Sequence, residues 1–129
     1  MFLQYYVTES TTRNRVNIEI NAATKADLDA TRNGWQTVWN TDFILDPQKE
    51  KYAAKTEDGE IIALGAYRVR KGSVAVYIAY IESQPESNPT LVEHKKYSGI
   101  GKAMIAFGIQ LSIDASCNGV VVFEAKTDD

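Results

Sequence analysis

The chain has 129 residues, 44% of them hydrophobic and 24% charged, with 8 Gly, 3 Pro and a formal net charge of −3. That composition excludes a disordered tract, a collagen repeat and a disulfide scaffold, and the length suffices for one core that buries roughly two-thirds of the unfolded surface. No apolar run approaches the ~18 residues of a membrane span, and the acidic balance offers nucleic acid no general attraction.

The opening segment Met1–Glu9 lacks the basic and apolar blocks of a secretory leader. The single cysteine, Cys117, cannot form an internal disulfide, which fits a reducing compartment. The expectation is one cytoplasmic domain over 1–129.

In chain order, Phe2–Thr8 and Val16–Ile20 are rich in aromatic and β-branched residues and flank the polar, turn-like Glu9–Arg15, so they read as a strand pair. Thr24 followed by Asp27 three residues later marks a helix start, with a stop near Arg32 at Asn33-Gly34. Trp35 and Trp39, four apart, suggest a second short helical turn before Asp46-Pro47. Tyr52–Lys55 and Ile61–Arg70 flank an Asp58-Gly59 pair, the signature of a hairpin. Ser73–Glu82 is nearly continuous in apolar character and predicts a strand covered on both faces.

After a polar stretch, Ser83–Tyr97, the segment Ser98–Ser116 predicts a helix with a wide, largely buried apolar face, ended by Asn118-Gly119. Val120–Glu124 reads as a further buried strand. Strand, helix and strand in one sheet imply a parallel crossover. The expected fold is α+β, a mixed, mostly antiparallel sheet with helices on both faces.

The chemistry concentrates in Lys96-Tyr97-Ser98-Gly99-Ile100-Gly101-Lys102, between a strand and the long helix. The first amides of a helix have no intrahelical acceptor, and glycines let an anion approach the backbone. His94, Lys95, Lys96 and Lys102 surround the segment, and Glu93 is the only acid from Val92 through Gly108. A basic helix start in an acidic chain points to a polyanionic ligand. It is not a Walker A loop, since Ala103 follows Lys102, nor a dinucleotide fingerprint, since position 104 is Met. The alternative is that Gly99 and Gly101 only permit close strand–helix packing.

Lys96-x-x-Gly99-x-Gly101, together with the strand end Tyr80-Ile81-Glu82-Ser83-Gln84-Pro85, the helix Met104–Ile113 and the strand Val120–Glu124, resembles the pyrophosphate loop and its surroundings in the GCN5-related N-acetyltransferases. The resemblance spans about Val74–Lys126. It implies a fold of that kind, shortened at its C-terminal end, that binds acetyl-CoA and acetylates a primary amine, on a small molecule or a peptide, by direct transfer. Ile81 and Ser83 would hold the pantetheine arm between splayed strands. The amides of Tyr97, Ser98, Gly99, Ile100, Gly101 and Lys102, with Lys96, would receive the pyrophosphate. Glu82, at the strand end, is the expected base, with Glu124 a weaker choice. Trp35 and Trp39, with Phe43, would wall the acceptor pocket, against a plain packing role.

Relative to the family, Lys stands where Gln or Arg is usual, and Glu86–Lys95 is an inserted loop. The helix and strands that normally follow the last strand have no counterpart after Glu124, and with them goes the tyrosine that often protonates the thiolate. Tyr77, Tyr80 and Tyr97 are the residues that could replace it, although tyrosines alternating in a sheet read first as core. Two consequences follow for Val120–Glu124. It would be left as an apolar edge that pairs with a second copy, giving a homodimer, and a catalytically silent module acting through such pairing is the alternative function. Nothing in the His, Cys, Asp or Glu spacing suggests a metal.

Overall fold

The structure is a computed structural model and describes residues 4–32, 34–37, 39 and 47–124. The expectations placed on Phe2, Asn33 and Phe43 lie outside the described residues. The strands are β1 (Tyr5–Glu9), β2 (Arg15–Ala22), β3 (Lys49–Thr56), β4 (Ile61–Arg68), β5 (Val76–Ser83), β6 (Tyr97–Ser98) and β7 (Val121–Phe123). The helices are α1 (Lys25–Asp29), continued by a tighter turn over Ala30–Arg32, and α2 (Ile100–Asp114). One seven-stranded sheet in the order β6-β1-β2-β3-β4-β5-β7 holds all the strands. Its pairings are antiparallel except β5 with β7, the parallel pair that α2 connects.

Local chemistry accounts for the elements. Thr24 caps α1 reciprocally: its Oγ1 accepts from the Asp27 amide at 3.1 Å, and its own amide donates to the Asp27 carboxylate at 2.9 Å. The Lys55 ammonium lies 2.9 Å from the same carboxylate and so ties α1 to β3. Gly59 takes φ +88°, as the tight turn between β3 and β4 requires.

Successive strand residues alternate between two packing groups. Ala53, Leu64 and Ala66 cluster with Leu28 of α1 and with Trp39, whereas Ala54 and Ala63 cluster with Ile100, Ala103 and Met104 of α2. A third group joins Tyr67, Val76, Ile78 and Cys117 near the C-terminal end of α2.

The short helical turn expected between Trp35 and Asp46-Pro47 lies largely outside the described residues; within it the Gln36 and Thr37 amides donate to the Glu82 carboxylate of β5. Three expectations are corrected. The strand expected from Ser73 begins at Val76, and Val74 is exposed. The apolar face of α2 is only partly covered: Ile109 and Ile113 are exposed beside Gly119. Finally β7 is not a buried strand. Among the described residues it pairs with β5 alone, at the edge of the sheet, and Val120, Val122 and Phe123 are exposed.

One element was not expected at all. The polar stretch after β5 returns to the far edge of the sheet, where β6 pairs with Thr8 and Glu9 of β1. In sheet order four strands separate β6 from β5, yet Tyr97, Ile81 and Ser83 line one cleft, so the sheet curls to bring its edges together around the start of α2.

Candidate functional site

Gly99 is the residue before α2 and takes φ +87°, a conformation that strains any L side chain. The first intrahelical acceptor is used by Ala103, whose amide donates to Gly99 O at 3.0 Å. The amides of Ile100, Gly101 and Lys102 therefore point out of the first turn with the positive end of the helix dipole. A Cβ built on Gly99 or Gly101 meets no atom within 4 Å. Close packing consequently demands neither glycine. Gly99 answers to its backbone angle, and Gly101 leaves open space in front of the first-turn amides.

Two clefts open there. One, of about 300 Å³, is lined by Ile81 and Ser83 of β5 and by Tyr97, Gly99, Ile100 and Gly101. The other, of about 780 Å³, runs between β1 and α2 and includes Ser98, Gly99, Gly101 and Lys102. The first unites most of the residues expected to hold a pantetheine arm and a diphosphate, although they come from segments nearly twenty residues apart (roughly, counting along the chain) that only a curled sheet can join.

The geometry of β5 explains why its C-terminal half is available. Ala66 pairs with Tyr80 but Tyr67 with Ile78, so Ala79 is the extra residue of a bulge. The pairing of β5 with β7 runs from Val76 to Ile78 and ends with the Glu124 amide donating to Ile78 O at 3.0 Å. Past the bulge, residues 79–83 have no β7 partner among the described residues. All three residues of β7 pair with β5, and the C-terminal half of β5 has only β4 beside it among the described residues.

Several expected roles are reassigned. The Tyr97 amide donates to Ser87 Oγ at 3.1 Å and is spent within the protein, so the anion-facing amides begin after it. Lys96 turns away from the helix start: its ammonium lies 2.8 Å from the Glu60 carboxylate, which also accepts from Gln84 Nε2 and from the Tyr97 hydroxyl. Glu60 is partly buried, which opposes its ionisation, but the Lys96 ammonium and the Gln84 amide outweigh this and hold its pKa below the ordinary carboxylate value. Burial and the Glu60 charge push the Tyr97 phenol upward.

Glu82 is neither a solvated strand end nor an unencumbered base. It is buried, and its carboxylate accepts from the amides of Gln36 and Thr37 at 2.7 and 3.2 Å and from the Trp39 indole at 2.9 Å. Thr37 also donates to the Tyr80 hydroxyl at 2.8 Å. Glu82 gathers Gln36, Thr37 and Trp39 around its carboxylate. Trp39 is fully buried and packs edge-on against Tyr80, so it walls no open pocket. Trp35 is half-buried and lines a cleft of about 350 Å³ with Asp27, Glu60 and Glu86, of which Asp27 and Glu60 are already paired with Lys55 and Lys96. Glu124 pairs with Arg68 Nε at 2.6 Å. The Cys117 thiol is buried against Arg70 O.

Sequence reasoning missed Glu60 and Ser87, whose partners lie about ten to forty residues away, and gave too little weight to Lys95, which lines both clefts. The basic run at 94–96 was a signal for Lys95 but could not say which lysine faces the helix start. Among the described residues no group of three His, Cys, Asp or Glu side chains is gathered for a metal, and no helix is long and apolar enough to cross a membrane. No family model matches the chain, and no curated protein matches its sequence.

Proposed function

We propose that the domain binds an acyl-CoA at the start of α2 and transfers its acyl group to a primary amine, as the resemblance to the GCN5-related N-acetyltransferases implies. The observation that carries this reading is the open space in front of the first-turn amides at Gly101, joined by one cleft to the end of β5 that has no β7 partner among the described residues. The residues present fit such a ligand. The amides of Ile100, Gly101 and Lys102 suit a diphosphate. The backbone of Ile81 and Ser83 suits an amide-bearing arm lying as a further strand. Acetyl-CoA supplies the activated thioester. A backbone N–H on the edge of β5 near Ile81 and Ser83 would supply stabilisation for negative charge on the thioester oxygen.

On this reading α1 with the Trp35–Trp39 loop covers one face of the sheet and α2 the other. The cleft lined by Trp35 and Glu86 takes the amine. Glu82 acts as a positioning residue, since three donors already occupy its carboxylate. Tyr97 lines the cleft with Ile81 and Ser83, but its hydroxyl donates to Glu60 at 3.2 Å, so this reading assigns the thiolate no tyrosine proton donor. Isothermal titration with acetyl-CoA tests the reading: micromolar to sub-millimolar binding is expected, and no heat at millimolar ligand overturns it.

A second reading has its own observation. The edge strand β7 exposes Val120, Val122 and Phe123 beside Ile109 and Ile113 of α2, an apolar margin suited to pairing with another copy. A module that acts by such self-association would bind acetyl-CoA without releasing thiol in the presence of any amine. Light scattering that returns a monomer mass at high micromolar concentration rejects this second reading.

A further inference from the structure

The curled sheet brings β5 and β6 together, yet no strand pairing joins them: among the described residues β6 pairs with β1, and the end of β5 has only β4 beside it. Side chains make the join. Glu60, on the turn between β3 and β4, accepts from Gln84 Nε2 at 3.1 Å and from the Tyr97 hydroxyl at 3.2 Å. Gln84 Oε1 accepts from the Ser87 hydroxyl at 2.9 Å, and Ser87 Oγ accepts from the Tyr97 amide at 3.1 Å. Glu60, Gln84, Ser87 and Tyr97 therefore form a closed ring of hydrogen bonds, which reaches residues 24 and 37 positions from Glu60 along the chain. Gln84 and Ser87 are buried, and the Lys96 ammonium lies 2.8 and 3.2 Å from the two oxygens of the same carboxylate. The turn holds Glu60 in its place: its amide donates to Thr56 Oγ1 at 3.2 Å, and its carbonyl accepts from the Thr56 amide at 3.0 Å.

We propose that Glu60 is a positioning residue, which sets the gap between β5 and β6 and with it the shape of the cleft lined by Ile81, Ser83, Tyr97 and Gly99. Glu60 lies on neither of the segments that border the gap, yet both are tied to it. Its bonds are charge-assisted, so they hold more firmly than neutral ones would. A ring in which every member is satisfied is rigid, and it loosens as a unit when one member is removed. Tyr97 stands just before Gly99 and α2, so a shift at Tyr97 is carried to the mouth of the cleft. The inference rests on the acyl-CoA reading for its ligand, whereas the ring can be tested without one.

The test takes two measurements on the full chain, well below its melting temperature: acetyl-CoA affinity by calorimetry, and exchange of the Tyr97 amide by nuclear magnetic resonance. No amine is present, so the Trp35 cleft, which Glu60 also lines, does not enter the readout. Glu60→Ala is expected to bind acetyl-CoA at least tenfold more weakly and to exchange the Tyr97 amide at least tenfold faster. Glu60→Gln keeps an acceptor for the Tyr97 hydroxyl and should fall between the parent and the alanine variant in both. Tyr97→Phe opens the ring at one bond and should move both readouts the same way by about threefold or more; it decides the matter if Glu60→Ala does not fold. If folded Glu60→Ala binds acetyl-CoA within twofold of the parent, or protects the Tyr97 amide as the parent does, the carboxylate does not set the gap. The proposal is then wrong while the acyl-CoA reading stands. If the parent binds no acetyl-CoA, the acyl-CoA reading falls, and exchange of the Tyr97 amide alone decides whether Glu60 sets the gap.

Discussion

Replacing Glu82 by alanine separates a positioning role from a catalytic one more cleanly than any other change in this domain. The carboxylate satisfies the buried Trp39 indole at 2.9 Å and the partly buried amides of Gln36 and Thr37 at 2.7 and 3.2 Å. A buried donor left without an acceptor costs about 1–3 kcal/mol, and one bonded to a charged group sits at the upper end. The indole has no access to water, so it carries most of the penalty, while the two amides recover part of theirs by hydration. The sum is about 3–5 kcal/mol, against a total stability of about 5–15 kcal/mol for a domain of this kind. With an m value near 1.5 kcal/mol/M, the urea midpoint should fall by about 2–3 M. The assay is urea unfolding followed by circular dichroism and tryptophan fluorescence.

Glu82→Gln keeps one oxygen acceptor and should lose only about 1–2 kcal/mol. The double variant with Trp39→Phe should reveal a coupling of about 1–2 kcal/mol, because the indole donor is then gone. If Glu82→Ala unfolds within 0.5 kcal/mol (roughly the spread of a neutral surface change) of the parent, the carboxylate does not hold the loop and the reasoning fails. Should Glu82→Gln keep its stability yet cost a hundredfold or more in acetyl transfer with acetyl-CoA affinity unchanged, Glu82 is a base after all.

Other outcomes follow from the same geometry. Gly101→Ala should fold at least as well as the parent, since its Cβ enters open space, yet lose tenfold or more in acetyl-CoA affinity; Gly99→Ala should instead cost about 1–2 kcal/mol, because φ +87° strains an alanine. Calorimetry and thermal melting on the pair distinguish these effects, and equal affinity in Gly101→Ala would remove the anion site. Gly65→Ala should destabilise by about 1–3 kcal/mol, because the new methyl would lie 2.7 Å from the Tyr67 ring and 2.9 Å from Met104 Cε; an unchanged melting temperature would mean that Tyr67 is free to move. Asp27 and Glu60 both have depressed pKa values. Burial opposes this in each, but Thr24 with Lys55 prevails at Asp27, and Lys96 with Gln84 at Glu60. A depressed carboxylate contributes stability that is present above its unfolded value, about 4, and is lost as pH falls through the lower folded value. Stability should therefore drop below about pH 4, and Asp27→Asn with Glu60→Gln should flatten that drop while lowering the plateau near pH 7. A double variant with an acid limb as steep as the parent's would refute the assignment.

Much of this was written locally in the chain. Thr24 and Asp27 cap α1 because both partners lie within one turn, and Asp58-Gly59 makes its hairpin because the pair itself meets the backbone demand of the turn. The glycines at 99 and 101 and the apolar run behind them announced the start of α2 for the same reason. Whatever depends on residues within about five positions of one another could be read without coordinates.

Tertiary structure alone decided the rest, because pairing across tens of residues has no local signature. It turned Lys96 onto Glu60 and gave the Tyr97 amide to Ser87. It hid Trp39 and made Glu82 an acceptor for a loop 43–46 residues away along the chain. It put β7 at an edge, so that a run as apolar as Val120–Phe123 stays exposed, since hydropathy records the burial a segment could gain but not the place in the sheet where it pairs.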